Sequence, residues 1–189
     1  ICPGTTTTVS DATSGGVWLS NRPAVATIGS SSGLVTGVVA GTATISYQLP
    51  TGRRATALII VNPIPAAVTG VAAVCVAGGT TLFGTGGGTW TSGSTGLALV
   101  DTFTGVVTGV SAGTVTITYT LGTGCQTTKL VTVNPLPAAI SGPSALCVTR
   151  TTTLTDADAG GTWSSNAVGV ANVGVTSGLL SGFSAGYAT

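Results

Sequence analysis

The stretch GVVTGVSAGTVTITY, from Gly105 to Tyr119, decides the fold. Its second half alternates: Val115, Ile117 and Tyr119 point one way, and Thr114, Thr116 and Thr118 point the other. A period of two built from β-branched residues marks a half-buried strand. The first half, Val106 to Val110, reads as a shorter apolar strand. Between them, Ala112-Gly113 supplies a residue that tolerates positive φ, so the chain can turn. The whole is strand, tight turn, strand: either a β-hairpin or a corner between two sheets.

The chain speaks this phrase three times. GLVTGVVAGTATISY runs from Gly33 to Tyr47, and GLLSGFSAGYAT runs from Gly178 to Thr189. Gly37, Gly109 and Gly182 lie 72 and 73 positions apart, and Gly41, Gly113 and Gly186 keep step with them. So do Trp18, Trp90 and Trp163, and each copy opens on a cysteine, Cys2, Cys75 or Cys147. Landmarks held at one offset define an internal repeat.

Working outward from the phrase, each copy carries a Thr-rich strand: Thr5 to Val9, Thr80 to Phe83, or Thr151 to Thr155. A Gly-containing turn leads to the tryptophan, and Asn21, Gly93 or Asn166 opens a polar connection three residues later. Short apolar strands follow at Val25 to Ile28, Leu97 to Val100 and Val170 to Val173. Beyond the phrase, a turn (Pro50 to Arg54, or Gly122 to Cys125) leads into a last strand ending at Val61 or Val133. Six to seven short strands in each repeat predict an all-β fold, a tandem of β-sandwiches. The joints read Asn62-Pro-Ile-Pro-Ala-Ala and Asn134-Pro-Leu-Pro-Ala-Ala. Proline has no N–H for a ladder, and two prolines spaced by one residue favour a stiff, extended linker. The expected domains are therefore residues 1–63, 64–135 and 136–189, the last incomplete, following one another end to end.

Composition narrows the function. Charged residues make up 5% of the chain, against roughly a quarter in an average soluble domain. The acids are Asp11, Asp101, Asp156 and Asp158, the bases are Arg22, Arg53, Arg54, Lys129 and Arg150, and there is no His, Met or Glu. A net charge of +1 gives no basic footprint for nucleic acid and no polybasic membrane patch. Without histidine no Ser/His/Asp or Cys/His set can be assembled, and four scattered aspartates pair no general acid with a base. The expectation is a protein with no catalytic residues, no cofactor and no metal. Mean hydropathy is +0.60. The longest near-apolar run, Ala66 to Ala77, is broken by Thr69 and Gly70 and falls short of the ~20 residues a span needs. With no signal peptide and no Met anywhere, the sequence reads as a window on a longer mature chain. The third copy lacks its last strands, so the polypeptide is expected to continue past Thr189.

Trp163-Ser-Ser-Asn166, Val25-Ala-Thr-Ile28 and the phrase Gly33 to Tyr47 together resemble the bacterial immunoglobulin-like repeat of group 2 type. The resemblance covers all three copies, and the G-x-x-x-G-x-x-A-G-T core is its specific part. It is similar to the version found in long secreted surface proteins, where cysteine-bearing copies are joined by N-P-x-P. It implies a seven-stranded sandwich used in tandem in adhesins, stalks and fibres, and no catalysis. The second copy departs from the pattern at Gly93, where Asn is expected.

In such a topology Cys75 and Cys125 are expected at one end of the same sandwich, joined as a disulfide across about 50 residues. Arg53 stands where Cys125 would fall in the first copy, leaving Cys2 without this partner, and the partner of Cys147 would lie beyond Thr189. The alternative is four free buried thiols; a metal site is disfavoured with no His and no C-x-x-C. Disulfide use points to an oxidising, extracellular compartment.

One tryptophan per repeat at a fixed offset reads as core, so Trp18, Trp90 and Trp163, with Tyr47 and Tyr119, are the expected core aromatics, against a stacking platform for sugars or bases. Asp156 and Asp158 fall short of the 6–8 oxygens calcium takes and read as a solvated turn. Arg53-Arg54 reads as an exposed tip. So uncharged a surface calls for a cover, either O-glycans on Ser and Thr or burial in an assembly. Thr102, after Asp101, is the candidate acceptor. Both faces of Ala57 to Val61 are apolar, so Leu58 and Ile60 are the candidate lateral interface. The expected function is an extracellular, secreted or cell-surface bacterial structural protein: stalk, filament or surface-layer material. Its partners would be copies of itself or neighbouring repeats, with covalent glycans. The alternative is an adhesin-type module for a glycan or protein ligand.

Overall fold

A computed structural model describes residues 1–189. The chain is all strand and turn, with no helix, and it divides into two compact units, Ile1–Pro135 and Leu136–Thr189.

The first repeat contributes β1 (Thr6–Thr8), β2 (Val17–Ser20), β3 (Ala26–Ile28), β4 (Leu34–Gly37), β5 (Gly41–Gln48) and β6 (Arg54–Val61). They form two three-stranded sheets, ordered β1-β4-β3 and β2-β5-β6. The second repeat contributes β7 (Thr69–Gly70), β8 (Ala73–Cys75), β9 (Gly79–Phe83), β10 (Thr89–Ser92), β11 (Ala98–Val100), β12 (Val106–Gly109), β13 (Gly113–Thr120) and β14 (Gln126–Asn134). Its sheets are four-stranded, β11-β12-β9-β7 and β10-β13-β14-β8.

The repeated phrase is thus the corner, not the hairpin: its two strands, β12 and β13, belong to different sheets. The glycine at its centre sits at φ +151° in Gly113, a backbone that side-chain-bearing residues rarely adopt. The alternation holds as read. Val115, Ile117 and Tyr119 are buried, Thr114 and Thr116 are exposed, and Val131 and Val133 face inward from β14 beside them. Each repeat has its own core. One gathers Val25, Ala26, Val35, Ala43, Ile45 and Val61; the other centres on Leu82, Trp90, Val107, Ile117 and Val131. Two cores within one compact unit mean that the joint at Pro63 connects separate sandwiches without separating them into independent units.

A second glycine explains the tight approach of the sheets. Gly105 has φ +72°, and a Cβ there would lie 2.4 Å from the Leu82 carbonyl oxygen and 2.9 Å from the Trp90 ring. Gly33 and Gly178 repeat this geometry in the other copies. Only glycine lets the turn before β12 press onto the tryptophan.

In the second unit, β15 (Thr151–Thr153), β16 (Ala171–Val173) and β17 (Leu179–Gly182) form one antiparallel sheet ordered β15-β17-β16. Only Val173 among its hydrophobic residues is buried, while Trp163 is half-buried.

Candidate functional site at the repeat joint

The cysteine pairing differs from the expected one. Cys125 bonds Cys2, not Cys75, across 123 residues of sequence with Cα atoms 5.6 Å apart; Cys75 and Cys147 are free and exposed. The reason lies in β8, a strand that the repeat pattern does not announce. β8 pairs parallel with the end of β14, setting Cys75 beside Asn134. Cys125 immediately precedes the other end of β14, which starts at Gln126. Nine residues of strand separate these points, about 30 Å at ~3.3 Å per residue, and a disulfide needs Cα atoms within about 7 Å. Cys75 and Cys125 therefore occupy opposite ends of one sandwich.

Cys2 sits where the first sandwich ends, since the Asn62 N–H donates to the Ile1 carbonyl at 2.8 Å. The linker then brings the Leu121–Cys125 turn of the second sandwich to this place, with the Cys125 sulfur 3.6 Å from the Asn62 carbonyl oxygen. Cys125 is buried there. The bridge thus joins the end of one repeat to the start of the next. The matching tip of the first repeat carries Arg53-Arg54, both exposed.

The aromatic residues behave unequally. Trp90 is 3% exposed and packs on Tyr119 with ring centroids 4.5 Å apart. Trp18 packs on Tyr47 at 4.6 Å but is only half-buried. The Tyr47 hydroxyl donates to the Thr13 carbonyl and accepts from the Gly16 N–H, both at 2.8 Å; the Tyr119 hydroxyl accepts from the Gly88 N–H. Asn21 Oδ1 accepts from the Thr44 N–H and Asn166 Oδ1 from the Thr189 N–H, both at 2.8 Å. Gly93 has no side chain to do this and keeps only its backbone bond to Thr116.

Outer sheet faces carry the remaining candidates. Leu58 is 65% exposed and Ile60 53% exposed on the outer face of β6, with Val17 and Leu19 exposed on β2 of the same sheet. The corresponding face of the second repeat is mixed: Thr91, Thr118 and Thr128 stand side by side, and Leu130, 60% exposed, holds the place of Leu58.

Thr102 is exposed, and its carbonyl accepts the Trp90 N–H at 2.9 Å. Beside it, the Asp101 carboxylate accepts from the Thr104 N–H and hydroxyl and from the Phe103 N–H. These bonds, the Thr104 backbone first, hold the Asp101 carboxyl below its ordinary range. A depressed carboxyl stabilises the turn above its unfolded-state pKa, and that stabilisation is lost as pH falls through the folded value. Acid titration is expected to release the Phe103 and Thr104 amides at a pH below the ordinary Asp range. In Asp101→Asn that titration disappears, a result that amide NMR reads directly.

The first unit is thus all-β, two linked pairs of sheets with a core each. Residues 54–133 match the family model of the bacterial Ig-like domain (group 2). No curated protein sequence matches it. Similar solved structures include an intimin mutant of EHEC O157:H7, at 20% identity over 39% of this chain and 48% of that chain, with a TM-score of 0.32. A C-terminal 282-residue fragment of intimin, in complex with the intimin-binding domain of the translocated intimin receptor, is 19% identical over 65% of this chain and 53% of that one, TM-score 0.41. Domains 1–6 of the surface layer protein SbsC are 26% identical over 76% of this chain and 23% of that one, TM-score 0.29. The chain spans about half the length of the intimin chains and about a quarter of the SbsC one.

Proposed function

We propose that the chain is a structural repeat segment of an extracellular, cell-surface protein, a non-catalytic rod of immunoglobulin-like sandwiches. The observation that carries this reading is the Cys2–Cys125 bridge, which ties one repeat to the next instead of closing a loop within a single repeat. A bond placed there, beside an Asn-Pro-x-Pro linker, resists bending of the joint. A disulfide also suits an oxidising compartment. Electron microscopy of the native material tests the reading: filaments or an ordered layer support it, and isolated beads on a flexible tether overturn it.

Lateral contacts complete the scaffold. Leu58 and Ile60 supply the apolar patch through which β6 packs on a neighbouring copy, and Thr102 is the candidate glycan acceptor. Burying both side chains contributes roughly 2–4 kcal/mol at ~25 cal/mol per Å². Ile60→Thr with Leu58→Thr is expected to leave the sandwiches folded by circular dichroism and to weaken sedimenting assemblies. Unchanged assembly removes this interface.

A further inference from the structure

We propose that the Cys2–Cys125 bridge makes this segment an inextensible tether, because pulling force passes around both sandwich cores instead of through them. The proposal deepens the rod reading above and rests on it.

The bond sets the path. Tension that enters at Cys2 reaches Cys125 through one disulfide, with Cα atoms 5.6 Å apart, and skips the 123 residues of sequence separation between them. The closed loop holds β1 to β13, and with them both buried clusters except Val131 and Val133, which β14 supplies. It also holds the first linker, Asn62-Pro-Ile-Pro, which therefore carries no tension. The second linker, Asn134-Pro-Leu-Pro, has the same form but lies outside the loop and carries all of it. Two linkers of one design thus have opposite mechanical roles.

Beyond Cys125 the force enters β14, which starts at the next residue, Gln126, and runs to Asn134. A strand at ~3.3 Å per residue is already close to the ~3.3–3.6 Å per residue that a fully extended chain can reach. Pulling on the two ends of β14 therefore meets its covalent backbone before the ladders to β13 and β8 must break. After Asn134 come Pro135 and Pro137, a spacing that favours an extended chain with little slack. From Cys2 to the second linker the path is a bond, a strand and a proline-stiffened segment, taut from the outset.

Without the bond the force would cross the first sandwich from Cys2 to Val61. Those ends lie side by side, since the Asn62 N–H donates to the Ile1 carbonyl at 2.8 Å. Neighbouring ends pulled apart lose their contacts one after another, and the repeat between them is drawn out to its full length. The bond is also shielded from chemical release. Cys125 is buried, so a reducing thiol reaches the disulfide only from the half-buried Cys2 side.

The test is force spectroscopy of the full chain held by its two ends, first oxidised and then reduced in place. With the bond intact, lengthening is expected from residues 136–189 alone. Reduction is expected to add about 400 Å of extension at the same pulling rate, from 123 residues at ~3.4 Å each. Cys2→Ser should show the same gain, and Cys75→Ser should pull like the parent. Reducing a chain that folded with its bond keeps the result independent of how well Cys2→Ser folds. An oxidised chain that releases the additional length, or a reduced one that does not, overturns the proposal. Electron microscopy judges the rod separately: filaments whose oxidised chains stretch leave the rod standing without the tether, and isolated beads with inextensible chains remove the rod and keep the force path.

Discussion

Replacing Cys125 by serine is expected to lower the unfolding free energy of the linked sandwiches by about 3–5 kcal/mol. The bridge closes 123 residues of chain, and in the chain-entropy model a loop of that length contributes about 5 kcal/mol. A serine left at a buried position adds to the loss, so Cys2→Ser at the half-buried partner is the cleaner comparison. The double variant should lose little more than either single one, because both remove the same bond. The joint also loses its lock. Urea unfolding is expected to change from one shared transition to two, each with a smaller slope, as the repeats stop unfolding together. Cys75→Ser should leave both midpoint and slope alone, since that thiol is exposed and unpaired. Equal losses from Cys75→Ser and Cys125→Ser would mean that the pairing in solution is a different one. A reducing agent should reproduce the Cys125→Ser behaviour in the parent chain.

The same bond shows where sequence reasoning stopped. Alternation in Gly113–Thr120 and Gln126–Asn134 was legible because one face of each strand is buried and the period is two. The turns at Gly41, Gly113 and Gly186 were legible because three copies place glycine at one offset, but whether each turn made a hairpin or a corner was not. Ala73–Cys75 was not, since its run of small apolar residues has no alternation and its paired residues lie 59 positions away. That parallel pairing sends Cys75 to the far end of its sandwich, and nothing local reports it. Identical spacing also concealed a difference between the tryptophans. Trp18 and Trp90 hold the same place against Tyr47 and Tyr119, yet only Trp90 shares its core with a residue of Val68's place, next to strand β7 on the edge of β9. A fixed offset says that a side chain points inward and says nothing of the lid above it. The surface candidates were legible as polarity alone. Leu58 and Ile60 break the alternation of an exposed face, and the solvent exposure of both is the structural consequence.

That difference in burial sets the second large effect, the loss of the Trp90 ring. Trp90→Ala is expected to destabilise the second repeat by about 3–5 kcal/mol, the range for removing a large aromatic from a packed core. The ring is 3% exposed, lies against Tyr119 at 4.5 Å and supports the Gly105 turn, whose close approach would otherwise face a void. Trp18→Ala removes the same atoms from a half-exposed place, so less apolar area returns to water and the loss should be about 2 kcal/mol. Hydrogen exchange separates the two. In a Cys2→Ser background, where the repeats unfold separately, Trp90→Ala should strip protection from the amides of Val107, Val115 and Ile117, while Val35 and Ile45 in the other core keep theirs. In Trp18→Ala the pattern should reverse and weaken. Equal losses from the two variants would contradict the unequal burial of the two rings. With the Cys2–Cys125 bridge intact, either variant should lower protection in both cores, because the joint transmits unfolding.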